Sequence, residues 1–532
     1  MLSGSYDVMF FNHIIIVKER AYAHENKRVG TSFAGSDPVN KIQRRGKMDK
    51  FFKISERGST VRTEIMAGIT TFFAMAYIVL VNPNQVAAEG KNGWLAGIIP
   101  ELSGDLGTMW NAVFIASVLV AVIGTLLMAF LAKMPYAQAC GMGLNSFFCT
   151  TFVSGAAFAG CSVIEGYQSG LVIVFLSGIV FLILSITGLR QYIAKAMPEC
   201  LKKSIPAGIG LFIAFIGLKG AGIVESNQYT LVQFFDFHGT IQNAETARDA
   251  WNAIVPVVVA LIGIIIIGIL AKLNVKGNIV IGIIASTILY YVFKLETPTF
   301  DVSNIGQSFK DFADIGLGGL FKGDAWSNAF NASYIGGIFS AVMLIIVFCL
   351  VDMFDTIGTL YGTASQANML DENGDPVNLD KSMMCDSIGT VSGALLGTST
   401  CTTFVESASG IAAGGRTGLT SLVTALCFVV CLFLSPIAGV IPTCATAPAL
   451  IFVGVLMAKN FAKVDMDDMR SAVPAFLTFL MMPLTYSISN GIGIGSIAYV
   501  LITLFTGNYK KRDIVVTIIA ALFVVKFIFV TM

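Results

Sequence analysis

Charge is scarce in this chain. Only 13% of its 532 residues are Asp, Glu, Lys or Arg, where a soluble domain carries roughly 25%. Hydrophobic residues make up 55% and the mean hydropathy is +0.77. That balance excludes an ordinary soluble domain and indicates a polytopic helical membrane protein. Strong net charge is missing too: the formal value is +1. A nucleic-acid partner needs a basic surface, so none is expected. Histidine is nearly absent. His13, His24 and His238 all lie outside the apolar runs. They do not suggest a metal cluster, and they leave an intramembrane enzyme without a histidine base. No GxxxxGK[ST] phosphate loop occurs, so ATP drive is not expected. The ten cysteines form no CxxC pair and read as small buried hydrophobes. Neither a cofactor nor an enzymatic activity is expected.

What is present is a series of apolar runs. The first is Glu64–Val81. Others follow near 111–132, 139–158, 170–188, 204–222, 253–271, 277–293, 335–362, 383–397, 399–414, 418–440, 445–459, 471–488 and 491–506. They number about fourteen, most close to the ~20 residues a bilayer needs or shorter. A last run, Ile514–Val530, reads as one more span or as a helix lying on the surface.

Residues 1–62 are different, with twelve Lys/Arg. Their apolar patch HIIIV is too short to span, and no small-residue cleavage site follows it. Met48 begins MDKFFKISERGSTVRTEI, which reads like a natural start. Residues 1–47 are therefore expected to be a flexible cytoplasmic extension, either an over-called start or a dispensable tail. Basic connections containing Arg190, Lys195, Lys202 and Lys203, then Lys272 and Lys276, then Lys459, Lys463 and Arg470, then Lys510–Arg512 fall on one side if the spans alternate. That side should be cytoplasmic, with the N-terminus.

Two spans are short and rich in small residues: ACGMGLNSFFCTTFVSG, the third, and GTSTCTTFVESASGIAAGG, the tenth. Gly costs about 1 kcal/mol per helical position. Broken backbone of this kind is tolerated at membrane depth only where it is buried in protein or lines water. The two lie seven spans apart. KKSIPAGIGLFIAFIGL and TCATAPALIFVGVLM, the fifth and twelfth, echo each other at the same offset. Seven is odd, so the second half would enter from the opposite side. An inverted repeat places a site where the broken spans meet.

Carboxylates mark that site. A charge at membrane depth is costly and lines a polar cavity by default. The eighth span, IIVFCLVDMFDTIGTLYGTA, carries Asp352 and Asp355 on one helix face. Two carboxylates so placed cannot both ionise cheaply, which suits proton coupling. The bland reading is that one of them caps a neighbouring broken helix. Thr356 and Thr359 flank them. Glu406 follows Thr402, Thr403 and Phe404 in the tenth span, either gripping a ligand or holding the break together. Asp386 is balanced between a functional and a structural role. Asn145, in GMGLNSFF, offers donors and an acceptor to a mixed heterocycle edge, or else joins two spans. In GITTFFAMAY, Phe73 is placed to stack on a flat ligand or belongs to the core; Thr70, Thr71 and Tyr77 lie beside it.

With these residues assembled, the chain resembles the second nucleobase–cation symporter family, in its azaguanine-sensitivity branch of guanine, hypoxanthine and adenine permeases. The motifs that carry the resemblance are GITTFFAMAYIVLVNP, GMGLNSFF, VDMFDTIGTLYGTA and GTSTCTTFVESASGIAAGGRTGL, and it runs from about Met48 to the C-terminus. It implies fourteen spans in a 7+7 inverted repeat, with short extended segments in spans three and ten. It also implies a core domain (48–190 and 335–440) moving against a gate domain (191–334 and 441–532). By motif, Asp355, Glu406 and Asn145 resemble the family's polar substrate residues. Cys140 departs from the Pro common before GMGLN.

The expectation is a plasma-membrane importer of purine bases, coupled to protons and working like an elevator. Substrate contacts are assigned to Asp355, Glu406, Asn145, Thr359, Phe73 and Thr403, and proton coupling to Asp352, Asp355 and Glu406. Guanine and hypoxanthine are favoured over adenine. A homodimer is a possible assembly. The alternative of another class is an anion exchanger or channel on the same architecture.

Overall fold

The computed structural model describes residues 47–188, 197–227, 229–298, 304–366, 369–372, 375–438, 440–507 and 509–529. The expected N-terminal extension lies outside these except for Lys47, and so do Arg190 and Lys195 of the basic loops. Residues from Phe52 onward form one compact unit.

Among the described residues, eight helices are long and apolar enough to cross a membrane: Val61–Val86, Pro100–Ala132, Val163–Ile186, Glu199–Gly220, Ala247–Lys272, Gly337–Tyr361, Thr443–Lys463 and Ile488–Phe505. Asn278–Lys294, Gly418–Cys431 and Met469–Leu484 are shorter apolar helices. The protein is thus a mostly helical, multi-pass membrane protein. Several helices start on a hydroxyl cap. Thr60 accepts from the Thr63 N–H at 3.2 Å, Thr246 from Asp249 at 3.2 Å and Thr417 from Leu419 at 3.2 Å. Each cap satisfies a backbone donor that the helix itself leaves free.

The two small-residue spans are broken as their composition predicts. Gln138–Cys140 is a strand, followed by helix Met142–Phe148. Cys401–Thr403 is a strand, followed by helix Ser407–Ala412. The strands pair antiparallel, with Gln138 opposite Thr403, Ala139 opposite Thr402 and Cys140 opposite Cys401. Flanking bonds extend the pair: Gly141 N–H to the Thr400 carbonyl and Phe404 N–H to the Ala137 carbonyl, both 3.0 Å. Backbone that leaves a helix inside the bilayer must find partners within the protein, and here each strand supplies the other's. Glycines let helices close over the pair. A Cβ on Gly124 would lie 2.9 Å from Cys401 Sγ and from Gln138 Oε1, and one on Gly389 would lie 2.9 Å from Cys401 Sγ.

Helix packing falls into two sets. Val61–Met75, Ser103–Leu127, Val163–Ile186, Leu379–Leu396 and Gly418–Cys431 pack among themselves, and Gly337–Gln366 packs on Val163–Ile186. Glu199–Gly220, Ala247–Lys272, Asn278–Lys294, Thr443–Ala458, Met469–Leu484 and Ile488–Phe505 do likewise, with Ile514–Phe529 on the last of them. The sets meet where Met142–Phe148 and Gly337–Gln366 touch Glu199–Gly220. The approach is close: a Cβ on Gly143 would come within 2.6 Å of Ile209 Cγ2. One feature had no counterpart in the sequence reading. The loop after Gly220 holds a hairpin, Val224–Asn227 against Leu231–Phe234.

Candidate functional site

The paired strands are the site's floor, and a polar network fixes them. Gln138 Nε2 donates to Asp386 Oδ1 at 3.1 Å and to Thr403 Oγ1 at 3.3 Å. The Thr356 hydroxyl donates to Asp386 Oδ2 at 2.7 Å and lies 2.8 Å from Thr402 Oγ1. Thr390 bridges further down, donating to Asp352 Oδ2 at 2.7 Å and accepting from the Cys401 N–H at 3.1 Å. Asp386, Thr403 and Thr390 are therefore engaged with protein, all fully or almost fully buried. Asp386 takes the structural of its two readings. Asp352, 1% exposed, holds Thr390 with one oxygen; its Oδ1 has no hydrogen-bond partner among the described residues.

Antiparallel pairing makes the two following helices leave in opposite directions. Their N-terminal ends therefore both face the strand pair. Glu406 stands at the start of Ser407–Ala412. Its Oε1 accepts from the Tyr77 hydroxyl at 2.6 Å, while its buried Oε2 has no hydrogen-bond partner among the described residues. Asn145, one turn into the other helix, is fully buried, and neither its Nδ2 nor its Oδ1 has a hydrogen-bond partner among the described residues. A buried amide left unbonded costs free energy unless something else meets it. Asp355 is half-buried on Gly337–Gln366, adjacent to the Thr356 that grips the tenth span. Its charge and that of Glu406 act on each other. Thr359, one turn along, is half-buried as well.

Phe73 lies apart from this network. It is 49% exposed, packs edge-on against Phe72, and lies against Gly277 of the other helix set. The aromatic that reaches the carboxylate is Tyr77, 1% exposed. Four residues apart, the two would share one face of a regular helix. Here the ladder tightens after Met75, with Val79 N–H bonding Ala76 and Leu80 N–H bonding Tyr77. Gln138 is the residue that the sequence reading passed over. Its signal was available: an amide inside an apolar segment, just before the Gly-rich break.

A pocket opens along the seam between the helix sets. Gln85, Glu89, Ser146, Thr446 and Tyr486 are among its lining residues; Asp355 and Glu406 are not.

Residues 62–494 match the model of a family described as "Permease family", Xan_ur_permease. The guanine/hypoxanthine permease PbuG of Bacillus subtilis is 38% identical over 91% of this chain and 100% of its own length. PbuO, a second guanine/hypoxanthine permease of that organism, is 36% identical over 89% of this chain and 99% of its own. The adenine permease AdeP of Escherichia coli is 34% identical over 91% of this chain and 97% of its own. Among solved structures, the transmembrane domain of the cyanobacterial bicarbonate transporter BicA superposes with a TM-score of 0.55 at 15% identity. The match covers 81% of this chain and 97% of that one. The murine anion transporter Slc26a9 in its inward-facing state gives 0.55 at 10% identity, over 88% and 74%. At such identities these two share the fold.

Proposed function

The chain belongs to this permease family, the second nucleobase–cation symporter family, and on that premise we propose that it imports purine nucleobases together with protons across the cell membrane. One observation carries the reading. Glu406 sits beside the paired strands with one oxygen held by Tyr77 and no hydrogen-bond partner for the other among the described residues. A carboxylate suits a partner that presents adjacent N–H groups. The Watson–Crick edge of guanine offers N1–H and the 2-amino group, and hypoxanthine offers N1–H. Such charge-assisted bonds are the stronger kind. Adenine has no N1–H and would require a protonated carboxyl or Asn145, so guanine and hypoxanthine are favoured. Asn145 serves the mixed donor–acceptor side of the ring, with Thr359 as a further contact. Asp355, in electrostatic reach of Glu406, supplies the changeable charge that proton coupling needs, with Asp352 behind it.

The movement is elevator-like. Fourteen spans in a 7+7 inverted repeat divide into a core (48–190 and 335–440) and a gate (191–334 and 441–532), with the N-terminus cytoplasmic. The separate packing of the two helix sets supports this division. The anion-transporting fold neighbours leave the substrate open, but two carboxylates acting on each other disfavour an anion here.

Asp355→Ala and Glu406→Ala test the site. Each should abolish uptake of radiolabelled guanine while the protein still reaches the membrane. Near-normal uptake in both refutes the assignment.

A further inference from the structure

Three consecutive residues after the first span, Ala88, Glu89 and Gly90, have φ of +48°, +70° and +71°. Two of them carry a side chain, and non-glycine residues rarely adopt this region. Backbone held in this way persists only where its surroundings enforce it, and it often marks a working position. Its effect here is to direct Glu89 across the seam. Glu89 lines one pocket with Thr443, the first residue of helix Thr443–Ala458 in the opposite helix set, and the Thr443 hydroxyl favours its charged form. Trp94 lines the same pocket, and its N–H acts in the same sense. On the same opposite set, a Cβ on Gly220 would lie 2.8 Å from Glu89 Oε1. One carboxylate thus touches the ends of two helices that belong to the other body.

We propose that Glu89 is a proton-binding residue of the seam, and that the seam closes at this end when the Glu89 carboxyl is neutral and opens when it is charged. The proposal rests on the transport reading only for its consequence, a pH-controlled gate at the end of the molecule away from the start of the first span.

The surroundings account for the direction. Contacts that would solvate an anion are few: one hydroxyl and one N–H. Burial pushes the Glu89 carboxyl up from its ordinary 4.5 to about 7, and the two hydrogen bonds only partly oppose that. The titratable groups that sense its charge are Cys149 on the Asn145 side, Cys444 beside Thr443, and Tyr486. None of them is a cation. Lys219, one residue before Gly220, has its ammonium over the Trp94 and Tyr486 rings at 5.8 and 5.0 Å. Lys91 packs against helix Ser103–Leu127 at Gly107.

The closed seam binds a proton more tightly than an open, hydrated one. Closure is therefore favoured as pH falls from about 7 toward 4.5, and that gain is lost as pH rises back through 7. Each pH unit in this window changes the open–closed ratio by up to about tenfold.

Hydrogen exchange of the full-length protein in lipid nanodiscs reads the seam without relying on transport. After correction for intrinsic rates, residues 87–94 and the first turn of Thr443–Ala458 should exchange up to about thirtyfold more slowly at pH 5.5 than at pH 8. Glu89→Gln should be slow at both. Thr443→Val removes the donor to the charged form and should move the midpoint upward. Wild-type exchange that ignores pH, or Glu89→Gln that keeps the wild-type dependence, overturns the proposal. Guanine counterflow between compartments of equal pH adds the functional arm: Glu89→Gln should lose the limb between pH 5.5 and 7. A wild type that moves no guanine refutes the purine reading, while hydrogen exchange still judges Glu89.

Discussion

At the scale of single residues, the buried carboxylates differ in how many of their oxygens the protein engages. Asp386 has both oxygens engaged by Gln138 and Thr356. Glu406 has one engaged by Tyr77 and one without a hydrogen-bond partner among the described residues. A sequence shows only that both are acidic and both lie in apolar runs, so the difference was not legible there. The pairing partners come from residues 248 and 329 positions away. Tyr77 is the positioning residue of this set. Tyr77→Phe keeps the ring and removes the hydroxyl that orients Glu406. A net hydrogen bond is worth about 1 kcal/mol, so the KM for guanine should rise roughly fivefold with the transport maximum little changed. Initial-rate uptake across a guanine series checks this. An unaltered KM would mean that the Tyr77 bond does not prepare the carboxylate.

At the scale of elements, helix starts are where buried acids serve the fold. Glu64 accepts from the Arg416 N–H at 2.9 Å, the Thr417 N–H at 3.2 Å and the Thr420 hydroxyl at 2.6 Å. It caps Gly418–Cys431 from a distant helix, the favourable end for a negative charge. Glu64→Ala leaves those donors buried and unpaired, at about 1–3 kcal/mol for each unsatisfied group. The detergent-solubilised protein should show a clearly lowered thermal midpoint, and Glu64→Gln a smaller drop. The broken spans were legible in the sequence for a related reason. Glycine and hydroxylated residues at 139–158 and 399–414 cannot favour a continuous helix, and both segments do contain a strand. Register was not legible, because pairing of residues 138–140 with 401–403 depends on contacts that no local pattern encodes. Phe73 shows the same limit at a helix. The motif placed Phe73 and Tyr77 together, and only Tyr77 reaches Glu406 while Phe73 is 49% exposed.

At the scale of the whole molecule, the account requires two bodies that slide. They approach closely at Gly143 against Ile209, and a Cβ on Gly358 would lie 3.6 Å from Pro206 Cγ. A Gly358→Cys/Pro206→Cys pair bridges Gly337–Gln366 to Glu199–Gly220. Oxidation should stop guanine counterflow and reduction should restore it; flow that continues through the cross-link would rule out relative movement of these helices. The membrane class of the protein was plain from composition alone, since so little charge cannot clothe a soluble surface. The division into two packing sets was not, because helices of both sets are equally apolar.

The central claim is that a flat, N–H-bearing base meets Glu406 beside the paired strands. An experimental structure determined with guanine measures this most directly. The account predicts the base within hydrogen-bond distance of Glu406, with Asn145 on its other side and residues 138–140 and 401–403 as its frame. Guanine bound elsewhere, with Glu406 holding only Tyr77, would contradict it.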